Sequence, residues 1–96
     1  MTYGITIEKQ PNTLWYKGTI GKYSFEAKVY DDPSTFGINE GRISKLTVWD
    51  DAKYQKTHKL FAACIMNYDR DWDVKPKAAH SAMIDALIAK LERLPH

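Results

Sequence analysis

The dipeptide Gly21-Lys22 constrains the fold more than any other short segment, because it lies between two β-rich runs. The run before it is TLWYKGTI (13–20), and the run after it is YSFEAKVY (23–30). A Gly-X pair between two such runs is typical of a tight hairpin with a type II′ turn. The second run alternates apolar and polar residues, which predicts a half-buried strand of an antiparallel sheet.

Three more segments predict strands: YGITIE (3–8), RISKLTVWD (42–50) and HKLFAACIMNYD (58–69). In RISKLTVWD the apolar residues depart by one position from strict alternation, which indicates a β-bulge near Ser44-Lys45. The third is apolar on both faces in its middle, as expected of a central strand. The stretch DDPSTFGINEG (31–41), with its proline and glycines, predicts a loop.

A helix is predicted over residues 76–94, with Pro76 at the first position, where proline is tolerated. Asp73 or Lys75 is the expected N-cap of this helix. The segment 50–57 predicts a turn or a short helical turn. The apolar residues of the long helix recur at helical spacing and form one stripe: Met83, Ile84, Leu87, Leu91 and Leu94.

Together these elements predict one α+β domain spanning residues 1–96. Its architecture is an antiparallel sheet of four to five strands with one C-terminal helix packed on one face. One helix covers about 10 Å of sheet width, and four strands at about 4.8 Å spacing are wider than that. Part of the sheet is therefore open, and we expect aromatic residues there: Trp15, Tyr16, Tyr30 and Trp49. This surface, or a sheet edge, predicts a homodimer or an unknown protein partner.

Composition excludes several classes of protein. The net charge is +2, too small to indicate nucleic-acid binding by itself. The single cysteine, Cys64, allows no intramolecular disulfide. No leader peptide and no apolar run of about 18 residues is visible, so a cytoplasmic protein without a membrane span is expected.

The stretch NYDRDWDVKP (67–76) is the densest in chemistry. Its alternating acids resemble the first half of a calcium-binding EF loop, but the sixth position is Val74 and the twelfth is His80, where glycine and glutamate are needed. The favoured interpretation is a joint between the last strand and the helix. Looser metal binding is the alternative. The candidate polar cluster comprises Asp69, Arg70, Asp71, Trp72 and His80, whereas the metal-binding alternative uses Asp69, Asp71 and Asp73.

His80 lies in the apolar stripe of the predicted helix. A buried histidine whose pKa is tuned by Asp69 or Asp71 could act as an acid or base. Together with the cluster of Asp69, Asp71 and Asp73, His80 would make the chain a small hydrolase or metal-dependent enzyme. More often such a histidine is packed with one satisfied hydrogen bond. A dyad of Cys64 and His80 is rejected, since an apolar setting raises a thiol's pKa.

The segment KYQKTHK (53–59) interleaves basic residues with an aromatic one. Lys53, Tyr54, Lys56 and Lys59 could contact a phosphate backbone and stack a base, which would make the chain a weak nucleic-acid-binding module. The competing interpretation is a solvated turn, with lysines that protect a sheet edge. The chain lacks the motifs of known RNA-binding modules and shows no helix-turn-helix.

Motifs for phosphate loops, serine hydrolases and zinc proteases are also missing, so the sequence assigns no catalytic residue, metal or cofactor. The segments WYKGTIGKYSFEAKVY, GINEGRISKLTVWD and YDRDWD, followed by a terminal helix, resemble a family of small uncharacterised proteins of bacteria and their phages. That resemblance implies a compact sheet-plus-helix fold and a mobile-element origin, and it supplies no catalytic residues. The sequence thus predicts a small non-enzymatic binding or accessory protein.

Overall fold

The computed structural model describes residues 3–95, which form one antiparallel sheet of six strands in sequence order. The α+β class and the antiparallel sheet are confirmed. The expectation of four to five strands was wrong. The strands are β1 (Ile5–Lys9), β2 (Trp15–Ile20), β3 (Tyr23–Val29), β4 (Ile43–Asp50), β5 (Cys64–Asp69) and β6 (Trp72–Val74). The additional strand is β6, which is only three residues long. It lies inside the acidic stretch, where no apolar run predicts a strand.

The C-terminal helix is confirmed as α3 (Ala78–Glu92), two residues shorter at each end than predicted. Its N-cap is Lys77, so neither Asp73 nor Lys75 caps it. Asp73 belongs to β6, and the chain stays extended through Lys75 because the residue before a proline disfavours the helical region.

The predicted strand 58–69 was wrong in its first half. After β4 the chain forms α1 (Asp51–Thr57), then α2 (Leu60–Ala63), and only then β5. The Asp50 side chain caps α1 by accepting a hydrogen bond from the Lys53 amide, and His58 ends α1 in the left-handed conformation. Phe61, on the solvent side of α2, is 73% exposed instead of packing as a central-strand residue.

The hairpin and the bulge are confirmed. Gly21 has φ of 58° and Ile20 pairs with Tyr23, as a two-residue turn with glycine at its first position requires. Between β3 and β4, Lys28 pairs with Lys45 while Val29 pairs with Ile43, so Ser44 is the extra residue of a β-bulge.

The core lies between α3 and one face of the sheet. Phe25, Leu46 and Met66 from three adjacent strands are fully buried there, and the buried face of α3 packs against them. Tyr16, predicted for the uncovered surface, points into this core and is only 8% exposed. No helix within residues 3–95 has the length and apolar character needed to cross a membrane.

Candidate functional site

The sheet face opposite α3 is a continuous surface of side chains from β1 to β5. Residues directly opposite on adjacent strands share a face, so the strand register groups these side chains into three rows. The first row is Trp15, Lys28, Lys45 and Asp69. The second is Glu8, Lys17, Glu26, Thr47 and Asn67. The third is Thr6, Thr19, Ser24 and Trp49. We call this surface the open face.

The helix α1 forms a wall at one end of the open face. The Tyr54 ring lies 6.5 Å from the Trp49 ring, tilted by 52°. Together with Trp15, these aromatic side chains line a cavity of about 420 Å³ whose floor includes Thr47 and Asn67. The open face is thus a shallow groove with aromatic walls and a polar floor.

Polar contacts hold the floor of this groove in place. The Thr47 hydroxyl donates to Asn67 Oδ1 over 2.6 Å, and Asn67 Nδ2 donates to Asp73 Oδ2 over 3.1 Å. Lys45 Nζ lies 3.6 Å from Asp69 Oδ1. These cross-strand contacts fix side-chain positions before any ligand arrives, which lowers the entropy lost on binding.

The charges on the open face balance each other. Its cations are Lys17, Lys28 and Lys45, and its anions are Glu8, Glu26 and Asp69. A groove that follows a nucleic-acid backbone carries an excess of positive charge instead. The face therefore fits a partner with charges of both signs.

The candidate nucleic-acid contacts lie together on the helical segment between β4 and β5. Lys53 and Lys56 are exposed on α1, and Lys59 is the exposed N-cap of α2. Tyr54 is half-buried against Trp49, so its ring is already engaged in packing. The aromatic residue that lies free beside these lysines is Phe61.

The three acids of the stretch 67–76 lie on the strand β5, on β6 and in the turn between them, and each makes a contact nearby. Asp69 pairs with Lys45, Asp71 Oδ1 accepts from the Trp72 amide over 2.8 Å, and Asp73 accepts from Asn67. All three are exposed. Within residues 3–95 no group of three or more His, Cys, Asp or Glu side chains is placed to hold a metal ion.

His80 packs against Tyr23, the residue that follows the Gly21-Lys22 turn. Its Nε2 lies 3.3 Å from the Tyr23 hydroxyl, and the two rings meet edge to face at 5.6 Å. Its Nδ1 is buried and has no hydrogen-bond partner in the described part of the chain, so neither Asp69 nor Asp71 bonds to it. Cys64 lines a cavity of about 330 Å³ beside His80, and burial raises the pKa of its thiol.

Trp72 and Tyr68 join the polar stretch to the rest of the fold. Their rings meet edge to face at 5.1 Å, and the Tyr68 hydroxyl donates to the Phe36 carbonyl over 2.8 Å. The Arg70 guanidinium lies 4.5 Å above the Phe36 ring. The turn between β5 and β6 is therefore fastened to the loop 31–41.

Arg42 is a structural residue that the sequence did not single out. It is only 6% exposed. Its guanidinium donates to the carbonyls of Tyr30, Glu92 and Leu94 over 2.8, 2.9 and 2.7 Å. Its amide donates to the Glu92 carboxylate at 3.0 Å. No local pattern around Arg42 predicts these contacts, because the residues that accept its hydrogen bonds lie up to 52 positions away in the sequence.

Comparisons with known proteins give little beyond the family. Neither the curated proteins nor the solved structures include a significant match to the chain. A family model described as a domain of unknown function, DUF7678, matches residues 14–92, from the start of the aromatic hairpin to the last residue of α3. The chain therefore belongs to the DUF7678 family.

Proposed function

We propose that this chain is a small non-enzymatic binding protein that holds a protein partner on its open face. The observation that carries the proposal is the uncovered sheet surface with Trp15 and Trp49 on it and the groove that α1 forms at its end. Tryptophans are enriched at the energetically dominant positions of protein interfaces. Two half-buried tryptophans on an otherwise polar sheet face therefore support a docking role.

The balanced charges of the open face support a protein over a nucleic acid. Three lysines and three carboxylates share this face. Like charges across an interface cost several kcal/mol, so such a pattern discriminates among protein partners while it repels a phosphate backbone at its acidic positions.

The size of the open face supports a transient complex. Five strands at about 4.8 Å spacing and about 20 Å long give a flat footprint of about 400 Å². A standard interface buries about 800 Å² per partner, and obligate homodimers bury more. A homodimer through the open face or the edge strand β1 stays a second proposal, and light scattering that returns about twice the 11.1 kDa chain mass would favour it.

The nucleic-acid alternative rests on Lys53, Lys56 and Lys59. It predicts binding to DNA or RNA that weakens steeply with salt. The metal-enzyme alternative predicts a higher melting temperature with Mg²⁺, Mn²⁺, Ca²⁺ or Zn²⁺. A cytoplasmic location and a bacterial or phage origin stay predictions of the sequence and its resemblance.

Comparative affinity capture tests the proposal. Tagged wild-type protein, Trp15→Ala, Trp49→Ala and the control Asp85→Ala, on the exposed side of α3, are used as baits in lysate of the native host. We expect one protein retained by the wild type and by Asp85→Ala, and lost from both tryptophan variants. The same set of captured proteins from all four baits would contradict a role for the open face.

A further inference from the structure

A second cavity, of about 630 Å³, lies at the end of the sheet away from α1. It forms where the β-bulge of β4, the loop 31–41 and the turn between β5 and β6 meet. Its volume is within the usual range for small-molecule sites. Three locally unfavourable features converge on it.

The first is a pair of like charges. Lys28 and Lys45 are directly opposite on β3 and β4, an arrangement that destabilises an antiparallel pair. Lys45 is partly neutralised by Asp69 at 3.6 Å. Lys28 has no carboxylate within 4.0 Å in the described part of the chain, and its ammonium lies over the Tyr30 ring at 5.3 Å and the Trp15 ring at 6.0 Å.

The second feature is the backbone of Arg70. Its φ is 63°, a left-handed conformation that a residue with a long side chain adopts at a cost. Its amide donates to the Ser44 carbonyl over 2.8 Å, which fastens the turn to the bulge. The guanidinium lies over Phe36, and within residues 3–95 it has no hydrogen-bond acceptor. Strained residues of this kind concentrate at ligand sites, where the surrounding structure holds them in place.

The third feature is Ser44 itself. This residue is 5% exposed and lines the cavity, yet its hydroxyl has no hydrogen-bond partner in the described part of the chain. A buried polar group without a partner costs stability, and native structures contain few of them. Because this hydroxyl is also shielded from solvent, its missing partner is a cost of packing at the bulge beside the cavity.

We propose that this cavity binds the phosphate or carboxylate group of a small molecule. Arg70 offers its planar fork of N–H donors, the geometry that matches phosphate and carboxylate oxygens. Lys28 adds a second positive charge. One bound anion thus relieves the repulsion between Lys28 and Lys45.

The remaining lining selects the body of the ligand. Tyr30 and Phe36 are 38% and 51% exposed, and both line the cavity, where they present aromatic surface. Asp31 and Asp32 line the same cavity, and their carboxylates are acceptors for hydroxyl or amino groups of a ligand. The ligand is therefore an anion whose body carries hydroxyl or amino donors, such as a sugar phosphate, a nucleoside monophosphate or an amino acid. This site adjoins the proposed partner groove, since Lys45 lines both cavities, but the anion proposal does not rest on the partner proposal.

An NMR titration of the full chain tests the proposal, with inorganic phosphate, adenosine monophosphate, succinate and uncharged adenosine as probes. With up to about 10 mM ligand, a site of millimolar Kd becomes mostly occupied. We expect saturable shifts of the Ser44 and Arg70 amides with phosphate and adenosine monophosphate if the site takes phosphate, or with succinate if it takes carboxylate. Adenosine alone gives none. Absence of saturable shifts with all anions would overturn the proposal.

Matched variants locate the site. Arg70→Asn removes the guanidinium and keeps a residue that tolerates the left-handed turn, and Lys28→Met removes the ammonium. Each should weaken anion binding about tenfold or more, since charge-assisted hydrogen bonds are lost. The control Lys17→Met, on the open face but outside the cavity, should bind as the wild type does. Unchanged affinity in Arg70→Asn and Lys28→Met would overturn the assignment even if an anion binds elsewhere.

A second readout is the melting temperature, measured without anion and with the anion probe that binds. Without anion, Lys28→Met should melt at a higher temperature than the wild type, because the opposed lysine charges are removed. With saturating anion, the wild type should gain more in melting temperature than Lys28→Met does. A lower melting temperature for the ligand-free variant, or an equal gain in both proteins, would contradict the account.

Discussion

Replacing Arg42 with alanine tests how the C-terminal end of α3 is held on the sheet. The buried guanidinium donates hydrogen bonds to three carbonyls, two of them at the end of the helix and one following β3. A hydrogen bond from a charged donor contributes about 1.5–3 kcal/mol net. The three are not additive, and in the variant water reaches part of the vacated space. We therefore expect Arg42→Ala to lower the free energy of unfolding by about 3–4 kcal/mol.

Urea unfolding followed by circular dichroism measures this change. With an m-value of about 1.5 kcal/mol/M, the midpoint should fall by about 2 M. Arg93→Ala is the matched control, because Arg93 lies at the same helix end and is exposed. It should change stability by less than about 0.5 kcal/mol. A loss below about 1 kcal/mol in Arg42→Ala, or equal losses in both variants, would refute the reasoning.

Three further substitutions and modifications follow from the packing. Gly18→Ala should cost about 2–3 kcal/mol, because the new Cβ would overlap the Thr6 carbonyl oxygen. Faster amide exchange in β1 would show it, and unchanged exchange would contradict it. Burial raises the pKa of Tyr68 above 10.0, so its contribution is complete below about pH 10 and is lost as the pH rises further. Tyr68→Phe removes the hydrogen bond to the Phe36 carbonyl, so its free energy of unfolding at neutral pH should be about 1 kcal/mol lower. In urea unfolding at alkaline pH, the variant should lose less stability than the wild type does. Parallel pH profiles of the two proteins would contradict this. Since burial also raises the pKa of Cys64, iodoacetamide should alkylate the native thiol more slowly than the urea-unfolded one, whereas equal rates would show an accessible thiolate.

Those parts of the fold that depend on neighbours in sequence were predictable. The turn at Gly21-Lys22 needs a residue that tolerates positive φ, and the glycine at position 21 therefore predicts the turn. The bulge at Ser44 was visible as a one-residue slip in apolar phase. The stripe of α3 was visible because 3.6-residue spacing is preserved over four turns.

The parts that depend on distant contacts were not predictable. The apolar run 58–69 indicated one strand, but α1 and α2 occupy the crossing from β4, and only Cys64–Asp69 enters the sheet. The burial of Arg42 depends on hydrogen bonds to the carbonyls of Tyr30, just after β3, and of Leu94, just after α3. Secondary-structure propensity reflects only local preference, and tertiary contacts override it at such positions.

The candidate functional sites likewise contain residues that the local sequence predicts and residues that only tertiary structure brings together. The sequence named the acidic stretch for its carboxylates, yet the residue there that lines the larger cavity is Arg70. Lys28, Ser44 and Arg70 come from three separate segments, and only strand register and the bulge bring them together. Trp15 and Trp49 were correctly expected on the uncovered surface, while alternation placed Tyr16 in the core.

Site-specific photocrosslinking in the native host tests the central claim, that the open face binds a protein partner, most directly. Benzoylphenylalanine replaces Thr47, in the middle of the open face, or Ala82, on the exposed side of α3. Irradiation should join a discrete protein to the chain from position 47 and none from position 82. Equal labelling from both positions, or no adduct from position 47, would contradict the account.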